Sequence, residues 1–237
     1  MSSPAEKRLL STGIHGLDAI LNGGLPRRRM YMVQGAPGAG KTTLALQLLI
    51  DGQRCGERGL YVTLSETKDE LQAVARSHGW SLEGIETYEL SAATPAALED
   101  EENTLYVPAE VELGERMRAL LSEVDRVQPK RIVLDSCSEL RLLAQSPLRF
   151  RRQLLGLKSE LIRRDCTILL LDNPESGDEL IQSLVHGVIH LEQLSPLYGA
   201  ERRRMRVVKL RETAFRGGYH DFVIRHEGLE VFPRLVA

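Results

Sequence analysis

The sequence predicts an α/β fold in which a mainly parallel, twisted sheet is flanked by helices. Short apolar runs of β-forming residues alternate along the chain with longer segments of helical periodicity. The predicted strands are apolar along their whole length, as strands are when both faces of a sheet are covered. With 237 residues, 42% of them hydrophobic and 27% charged, the chain has the size and composition of one large α/β domain. We therefore expect residues 1–237 to form a single domain.

The order of elements supports this fold. Five apolar runs predict strands, at residues 30–34, 60–64, 87–90, 131–134 and 166–171. Apolar residues at helical spacing predict helices, at residues 41–53, 68–78, 113–127 and 148–163. From about Gly187 the pattern changes to strands joined by turns, at residues 188–192, 205–210, 221–225 and 229–232. We expect this last part to form an antiparallel extension on one edge of the sheet.

Residues 91–112 fit neither a helix nor a strand. They contain the acidic run Glu99-Asp100-Glu101-Glu102. A charge run of this kind is typical of a solvated loop, which is the prediction. An acidic hook that binds a protein partner is the alternative.

Composition excludes several classes of protein. The net charge is −2 and only 5% of residues are aromatic, which disfavours a globally basic nucleic-acid binder and a base-stacking platform. Cys55, Cys137 and Cys166 lack zinc-ligand or CxxC spacing, so we expect reduced thiols. The N-terminus lacks the apolar core of a signal peptide, and no apolar run is long enough to cross a bilayer. The expectation is a cytoplasmic protein without membrane contact.

The strongest motif is the glycine-rich segment at residues 35–42, GAPGAGKT, which matches GxxxxGK[ST] between a predicted strand and a predicted helix. Small residues let successive backbone N–H groups wrap phosphates, and the helix N-terminus adds positive potential. Lys41 is expected to reach the β- and γ-phosphates and the Thr42 hydroxyl to coordinate Mg²⁺. The expected ligands are ATP and Mg²⁺, with binding positions at Gly38, Ala39, Gly40, Lys41, Thr42 and Thr43.

Two carboxylates fit the hydrolysis of a triphosphate. Asp135 closes an apolar strand, a position that in this type of fold lies beside the phosphate loop and holds the metal through water. Glu66 follows another strand on the same rim, where a carboxylate orients or deprotonates the attacking water. A turn residue at Asp135 and a helix cap or solvated residue at Glu66 are the alternatives. The candidate metal ligands are therefore Thr42 and Asp135, and the candidate catalytic residues are Glu66 and Lys41.

Two further polar pairs leave alternatives open. Asp172 and Asn173 end another parallel strand, either as a sensor of the γ-phosphate or as a turn before Pro174, and the pattern favours the turn. Lys209 and Arg211 alternate on one face of a late strand. The pattern alone favours a solvated edge strand that is protected by its charges.

Taken together, these features resemble the KaiC-type branch of the RecA superfamily of ATPases over nearly the whole chain. The matching segments follow the family order: STGIHGLD at residues 11–18, GGLP at 23–26, the phosphate loop, Glu66-Thr67, RSHGW at 76–80, the Asp135 strand, Lys209-Leu210-Arg211 with Thr213, and GLEVFP at 228–233. The first segment and the late Lys-x-Arg segment are more specific than the phosphate loop, which many ATPases share. The resemblance implies a RecA-like P-loop fold.

The resemblance also implies a hexameric ring of identical protomers with ATP held between neighbours. Four late residues match positions that reach the nucleotide of the adjacent protomer: Lys209, Leu210, Arg211 and Thr213. Of these, Lys209 and Arg211 are implied to act in trans as catalytic cations that stabilise the phosphates. Ser77 matches a position near the nucleotide, and Glu66 matches a catalytic carboxylate. The implied function is a regulatory or signalling ATPase with an unidentified protein partner.

Three departures from the family pattern predict slow turnover. Ser65 precedes Glu66 where the family often has two adjacent acidic residues, which weakens the water-activating system. Glu212 and Phe215 stand where the family has a glycine and a histidine, and a carboxylate at Glu212 lessens the positive charge offered to ATP.

The best-known members of the family carry two such domains and autophosphorylate in the second. This chain corresponds to a one-domain member or to a first domain, so protein-kinase activity is not assigned.

Two other functions are weighed against this interpretation. Arginine clusters at residues 27–29, 149–152 and 202–206 suggest a DNA-acting ATPase of the RecA type. Acidic residues interleave with these clusters and the net charge is negative, so a solvated surface is favoured over nucleic-acid binding. A non-enzymatic scaffold gated by ATP is the other alternative, and the intact phosphate loop and carboxylates argue against it.

Overall fold

The computed structural model describes residues 9–90, 109–144, 146–173, 179–195 and 199–234. The strands in these ranges are β1 Leu9–Leu10, β2 Leu25–Pro26, β3 Met30–Gln34, β4 Gly59–Thr63, β5 Ile85–Glu89, β6 Arg131–Asp135, β7 Thr167–Asp172, β8 Gly187–Leu194, β9 Arg202–Leu210, β10 His220–Arg225 and β11 Gly228–Phe232. The helices are α1 His15–Ile20, α2 Lys41–Arg54, α3 Lys68–Ser77, α4 Ala109–Val127, α5 Cys137–Ala144, α6 Pro147–Arg163 and α7 Glu179–Leu184.

Nine of the strands in the described ranges form one sheet in the order β11-β10-β9-β8-β3-β7-β6-β4-β5. From β8 to β5 each strand is parallel to its neighbour, whereas β9, β10 and β11 continue the sheet in antiparallel pairs. The predicted fold class is confirmed: a mainly parallel sheet flanked by helices, with an antiparallel C-terminal extension.

One strand that was predicted in the antiparallel extension belongs to the parallel part. β8 pairs in parallel with β3, with Gly187 opposite Tyr31, and antiparallel pairing begins only between β8 and β9. The reason is α7, which the sequence pattern did not predict, because a helical crossover from β7 brings the next strand back in the same direction. α7 has six residues and the equally unpredicted α5 has eight, and helical periodicity is hardly visible at such lengths.

The predicted loop at residues 91–112 is wrong at its C-terminal end, because α4 begins at Ala109. Alanine and glutamate are strong helix formers, and Ala109, Glu110 and Glu112 extend the helix by one turn before the apolar pattern starts. The remainder of the predicted loop, with its acidic run, lies outside the described residues.

Helices cover both faces of the sheet, so alternate residues of each central strand enter different cores. Every residue of β3, β4, β6 and β7 is buried. On β3, Tyr31 and Val33 pack on the side of α1, α2 and α3, while Met30 and Met32 pack on the side of α4, α5 and α6. Among the described residues no helix is both long enough and apolar enough to cross a membrane.

A buried ion cluster fixes the amino end of β6. Arg131 is only 1% exposed, and its guanidinium donates to Glu57 at 2.7 Å and to Asp51 at 3.0 Å. Burial would raise the pKa of Glu57, but Arg131 and Arg27 hold it below its ordinary value. Gly52 leaves the necessary space, since a Cβ atom there would lie 2.7 Å from Arg131 Cδ and Nε. The cluster therefore joins α2 to β6 at the amino end of the sheet.

Candidate nucleotide-binding site

The carboxyl ends of the parallel strands form one rim of the sheet. β3 ends at Gln34, β4 at Thr63, β6 at Asp135 and β7 at Asp172. The strand register sets Thr63 opposite Asp135 and Gln34 opposite Asp172. In open α/β sheets ligands bind beyond the carboxyl ends of the strands, so this rim is where the candidate site lies.

The phosphate loop connects β3 to α2 in a conformation that requires glycine. Gly38 and Gly40 have φ angles of 81° and 101°, a region that residues with side chains rarely adopt. At Gly35 a Cβ atom would lie 2.8 Å from the carbonyl oxygen of Leu191. α2 begins at Lys41, so its first amides and the positive end of its dipole face the loop. The predicted strand, loop and helix are all present in this order.

The ammonium group of Lys41 lies over the loop. It donates to the carbonyl oxygens of Gly35 at 2.6 Å and Ala36 at 3.1 Å, and to Asn173 Oδ1 at 2.9 Å. Burial lowers the pKa of Lys41, and the nearby carboxylates of Asp135 and Asp172 act in the opposite direction. All three acceptors are uncharged, so phosphate oxygens offer this ammonium stronger, charge-assisted hydrogen bonds.

Asp135 is buried beside Lys41 and is held by a tyrosine. The hydroxyl of Tyr61, on the neighbouring strand β4, donates to Asp135 Oδ2. Burial raises the pKa of Asp135 above its ordinary value. The Tyr61 hydrogen bond, the Lys41 charge and a hydrogen bond with Thr42 act against this rise. Sequence analysis did not predict the role of Tyr61, because it looks like one more apolar position of a buried strand.

Glu66 lies on the same rim, in a turn that Thr63 fixes. The Thr63 hydroxyl donates to the Glu66 carbonyl at 2.7 Å and accepts from the Glu66 amide at 2.9 Å. The Oε2 atom of Glu66 is buried and has no hydrogen-bond partner among the described residues. Burial, followed by the charges of Asp135 and Glu70, raises the pKa of Glu66. Two predicted carboxylates are thus close enough to influence each other electrostatically.

These residues fit a magnesium ion that is shared with a bound triphosphate. Mg²⁺ prefers oxygen ligands, keeps several waters and is bound through one or two carboxylates together with substrate phosphates. Thr42 and Asp135 supply only oxygen, and the unpartnered Oε2 of Glu66 is an acceptor that can take a hydrogen bond from water. Among the described residues no cluster of three or more His, Cys, Asp or Glu is placed to hold a metal ion. Phosphate oxygens of the bound nucleotide would therefore complete the set of ligands.

Asp172 anchors the phosphate loop to α5. Its carboxylate is fully buried and accepts from Ser138 Oγ at 3.0 Å and from Arg141 Nη2 at 2.6 Å. Its carbonyl oxygen accepts from the amide of Gly35 at 3.3 Å, and the next residue, Asn173, meets the lysine ammonium. Neither of the two sequence alternatives predicted these contacts, and Pro174, which the predicted turn precedes, lies outside the described residues. Ser138 and Arg141 were not predicted, because α5 itself was not.

Of the two late cations, Arg211 lies toward the opposite end of the sheet. The amide of Arg211 donates to the carbonyl of His186 at 2.9 Å, and the amide of His186 donates to the carbonyl of Met30 at 2.7 Å. Arg211 is therefore level with the start of β3, and four strand residues, about 13 Å, separate that level from Gln34. Lys209 lies two residues earlier on β9. The structure does not bring Arg211 to the phosphate loop of its own chain.

Both late cations are held by α7. Lys209 Nζ donates to the carbonyl of Gln182, and Arg211 Nη2 donates to the carbonyl of Ser183 at 3.1 Å. Burial lowers the pKa of Lys209, and the charge of Arg211 lowers it further. The unpredicted α7 is thus the element that positions these two predicted residues.

Three other predicted nucleotide contacts also lie away from the loop: Leu210, Thr213 and Ser77. Leu210 ends β9 beside the two cations, and Thr213 follows shortly after. Ser77 lies in the last turn of α3, where its hydroxyl donates to the carbonyl of Val74 at 2.7 Å. α3 has ten residues, so about 15 Å of helix separates Ser77 from the Glu66 end.

Glu212 and the arginine clusters are engaged in ion pairs. Arg29 Nη2 donates to both oxygens of Glu212, at 3.2 and 3.3 Å, and this contact holds the pKa of Glu212 below its ordinary value. Acidic partners also meet five arginines of the two clusters at residues 27–29 and 202–206: Arg27 with Glu57, Arg28 with Asp165, Arg202 with Asp221, Arg203 with Glu201 and Arg204 with Glu192. Pairing of this kind reduces the charge available for nucleic acid.

A phosphate loop after one strand and an aspartate at the end of a strand two places away define a P-loop protein of the RecA type. The sequence model of the KaiC ATPase family matches residues 10–236. The chain belongs to this family, as its motifs indicated, and is accordingly a nucleotide-binding protein of an ATPase family.

The relatives include both short and long proteins. A UPF0273 protein of Methanopyrus kandleri is 31% identical over 96% of this chain and 93% of its own length. The circadian clock oscillator protein KaiC of Parathermosynechococcus lividus is 29% identical over 94% of this chain, which spans 42% of that protein. Among solved structures, a KaiC-like protein of Pyrococcus horikoshii has a TM-score of 0.79 at 26% identity, covering 95% of this chain and 99% of that one.

Proposed function

We propose that this chain hydrolyses Mg-ATP slowly at the interfaces between protomers of a ring, most simply a homo-hexamer, as a regulatory or signalling ATPase. One observation carries the proposal. The phosphate loop and its carboxylates lie at one rim of the sheet, whereas Arg211 lies level with the start of β3. A second copy of the chain can supply this cation to the loop, and its own chain does not.

The phosphate-binding role falls to the loop and the first turn of α2. The backbone amides of Gly38, Ala39 and Gly40 surround the phosphates, and α2 contributes its N-terminal amides at Thr42 and Thr43. Lys41 exchanges its contacts with loop carbonyls and Asn173 for contacts with the β- and γ-phosphates.

Thr42 and Asp135 would hold Mg²⁺, the hydroxyl directly and the carboxylate through water. In that position the ion would neutralise charge that develops on the phosphates during transfer. Tyr61 keeps Asp135 oriented and favours its charged form, since the tyrosine hydrogen bond opposes the effect of burial on its pKa. This is the supporting role that outer ligand contacts play at metal sites.

Glu66 is the proposed general base for the attacking water. Its raised pKa brings it closer to neutrality, where a base is most effective, and its unpartnered Oε2 can accept a hydrogen bond from water. Ser65 takes the place of a second acidic residue, so Glu66 activates the water without a neighbouring carboxylate in the sequence. This arrangement supports slow turnover.

Lys209 and Arg211 are proposed to stabilise the phosphates of the neighbouring protomer during transfer. Leu210, Thr213 and, in the protomer that holds the loop, Ser77 would complete the nucleotide contacts. Such an interface joins two different surfaces of the same chain, and a repeated head-to-tail contact that closes generates a ring. ATP that bridges two protomers also promotes assembly by mass action.

The test is phosphate release with ATP and Mg²⁺ at increasing protein concentration, for the wild type, Glu66→Gln and Arg211→Ala. Turnover per protomer is expected to rise with concentration. Loss of the base should cost about 10²–10⁴-fold, and loss of a phosphate-stabilising arginine about 10³-fold or more. Glu86→Gln on β5 and Arg202→Ala at the far end of β9 are matched controls that should keep the wild-type rate.

The alternatives make different predictions in the same assay. A scaffold gated by ATP would assemble with ATP and release no phosphate. A DNA-acting ATPase would be stimulated by single-stranded DNA in a strongly salt-dependent way. Turnover that is independent of concentration and unaffected by Arg211→Ala would contradict the interface site.

A further inference from the structure

Gln182 of α7 contacts the phosphate-loop strand with its side chain and a late cation with its backbone. Its amide Nε2 donates to Gln34 Oε1 at 2.9 Å, and its carbonyl oxygen accepts from Lys209 Nζ. Gln34 is 4% exposed and directly precedes Gly35, the first residue of the phosphate loop. A single residue therefore connects the root of the loop to one of the two late cations.

The end of α7 is fixed by three cations. The consecutive carbonyls of Gln182, Ser183 and Leu184 accept from Lys209, Arg211 and Lys158 respectively, the last at 2.6 Å. Cations at a helix C-terminus are stabilised by its free carbonyls and its dipole. A displacement of α7 would therefore displace Lys209 and Arg211 together, and the side chain of Gln182 links α7 to Gln34.

We propose that Gln182 is a positioning residue that couples the phosphate loop of its own protomer to the cations that this protomer offers to its neighbour. The inference rests on the proposed interface ATPase. ATP that enters the loop moves Lys41 and the adjacent peptides, Gln34 transmits this change to Gln182, and α7 sets the position of Lys209 and Arg211. Nucleotide occupancy of one site thereby affects catalysis at the next site around the ring.

The physical basis of the coupling is a continuous set of hydrogen bonds between two distinct sites. Coupling free energy between sites is measured as the change that occupancy of one causes at the other, and typical couplings correspond to about 5–150-fold. Gln182→Met removes the amide, keeps the length of the side chain and leaves the backbone carbonyl in place. Ser183→Ala is the matched control. Ser183 lies on the same turn of α7 as Gln182, and the substitution removes its side-chain bond with Arg151 of α6 while the Gln182 amide stays in place.

The experiment measures the ATP dependence of phosphate release by the full chain under conditions of assembly. Gln182→Met should lower kcat by about fivefold or more, which is the lower end of typical coupling between sites. The Hill coefficient for ATP should fall to about 1, because neighbouring sites no longer affect each other. The affinity of the phosphate loop for a fluorescent ATP analogue should stay within about twofold of the wild type, because no loop contact is removed. Ser183→Ala should behave as the wild type.

A second variant separates coupling from simple loss of stability. Gln34→Met should give at least the loss of Gln182→Met, and the double variant no more than Gln34→Met alone, since both substitutions remove the Gln34–Gln182 bond. Additive losses would contradict the inference. So would a loss of activity in Gln182→Met that is absent at temperatures below its thermal unfolding transition, because the loss would then reflect lower stability. If turnover of the wild type is cooperative and turnover of Gln182→Met is equally cooperative, the coupling is contradicted and the proposed interface ATPase is not. A wild type whose turnover is independent of concentration would contradict the proposed function as well.

Discussion

The hydroxyl of Tyr61 donates a hydrogen bond to the buried carboxylate of Asp135, across two neighbouring strands of the sheet. Both residues are almost fully buried, at 1% and 8% exposure. Burial favours the protonated, neutral acid, whereas the role proposed for Asp135 requires the charged form. Tyr61 therefore links the packing of the sheet to the chemistry of the candidate site.

Tyr61→Phe should weaken the binding of Mg²⁺ to the site that includes Asp135. Without the hydroxyl the pKa of Asp135 rises further, so more metal is needed to reach half of the maximal rate. An increase of about 10-fold or more in that Mg²⁺ concentration is expected, the usual effect of removing a contact behind a metal ligand. The measurement is a magnesium titration of phosphate release. Tyr31→Phe, which loses a bond to the Pro26 carbonyl, is the control and should leave the titration unchanged.

Asp135→Asn should stabilise the nucleotide-free protein while removing its response to Mg-ATP. The pKa of Asp135 is raised in the folded state, so the ionised carboxylate costs stability above that pKa, and the cost disappears as the pH falls through it. The amide carries no charge and avoids the cost at neutral pH. A rise of a few degrees in Tm is expected, since about 1 kcal/mol corresponds to about 2–4 °C in a chain of this size. A lower Tm, or an unchanged Mg-ATP-induced shift, would contradict the assignment.

The rate of hydrolysis should fall as the pH is lowered. The fall should begin at a higher pH than it would for a general base with the ordinary pKa of a glutamate. A general base acts in its deprotonated form, and burial together with Asp135 and Glu70 raises the pKa of Glu66. Glu70→Gln removes one of the two like charges and should move the acid limb of the pH–rate profile to lower pH. Glutamine at this position retains the helix-capping contacts with Thr67, so folding is preserved. An acid limb that does not move would show that another group controls the rate.

Gly52→Ala should destabilise the fold by about 1–3 kcal/mol, the usual cost of overpacking. The new methyl group would lie 2.7 Å from Arg131 and would disturb its contacts with Asp51 and Glu57. Gly156→Ala in α6 is the control, because nothing lies within 4 Å of its Cβ position. The control should gain about 0.5–1 kcal/mol from helix propensity. Urea unfolding monitored by circular dichroism measures both.

Sequence patterns predicted the parts of the site that depend on local order. The phosphate loop needs eight consecutive residues between a strand and a helix, so Lys41 and Thr42 could be placed with their neighbours. Asp135 and Glu66 followed from a general rule, because the carboxyl ends of parallel strands meet at one rim. The family was recognised from its motifs, and the comparison with known proteins confirmed it.

The contacts that sequence analysis missed join residues far apart in the chain. Tyr61 and Asp135 are 74 residues apart, and Gln34 and Gln182 are 148 apart. No periodicity marks such pairs, since each member looks like an ordinary residue of its own element. α5 and α7 were too short for a helical pattern to be visible. Because α7 was not predicted, neither the parallel direction of β8 nor the contact that holds Arg211 could be predicted.

The most direct test of the interface site mixes two inactive variants. Glu66→Gln keeps its cations and its ATP-binding loop, whereas Arg211→Ala keeps its base. In a mixed ring, an interface between the loop of one and the cation of the other is complete. An equal mixture should recover about a quarter of the wild-type rate, because random head-to-tail neighbours form the complete interface about one time in four. A mixture that assembles with ATP yet stays as inactive as its components would show that the active site does not lie between protomers.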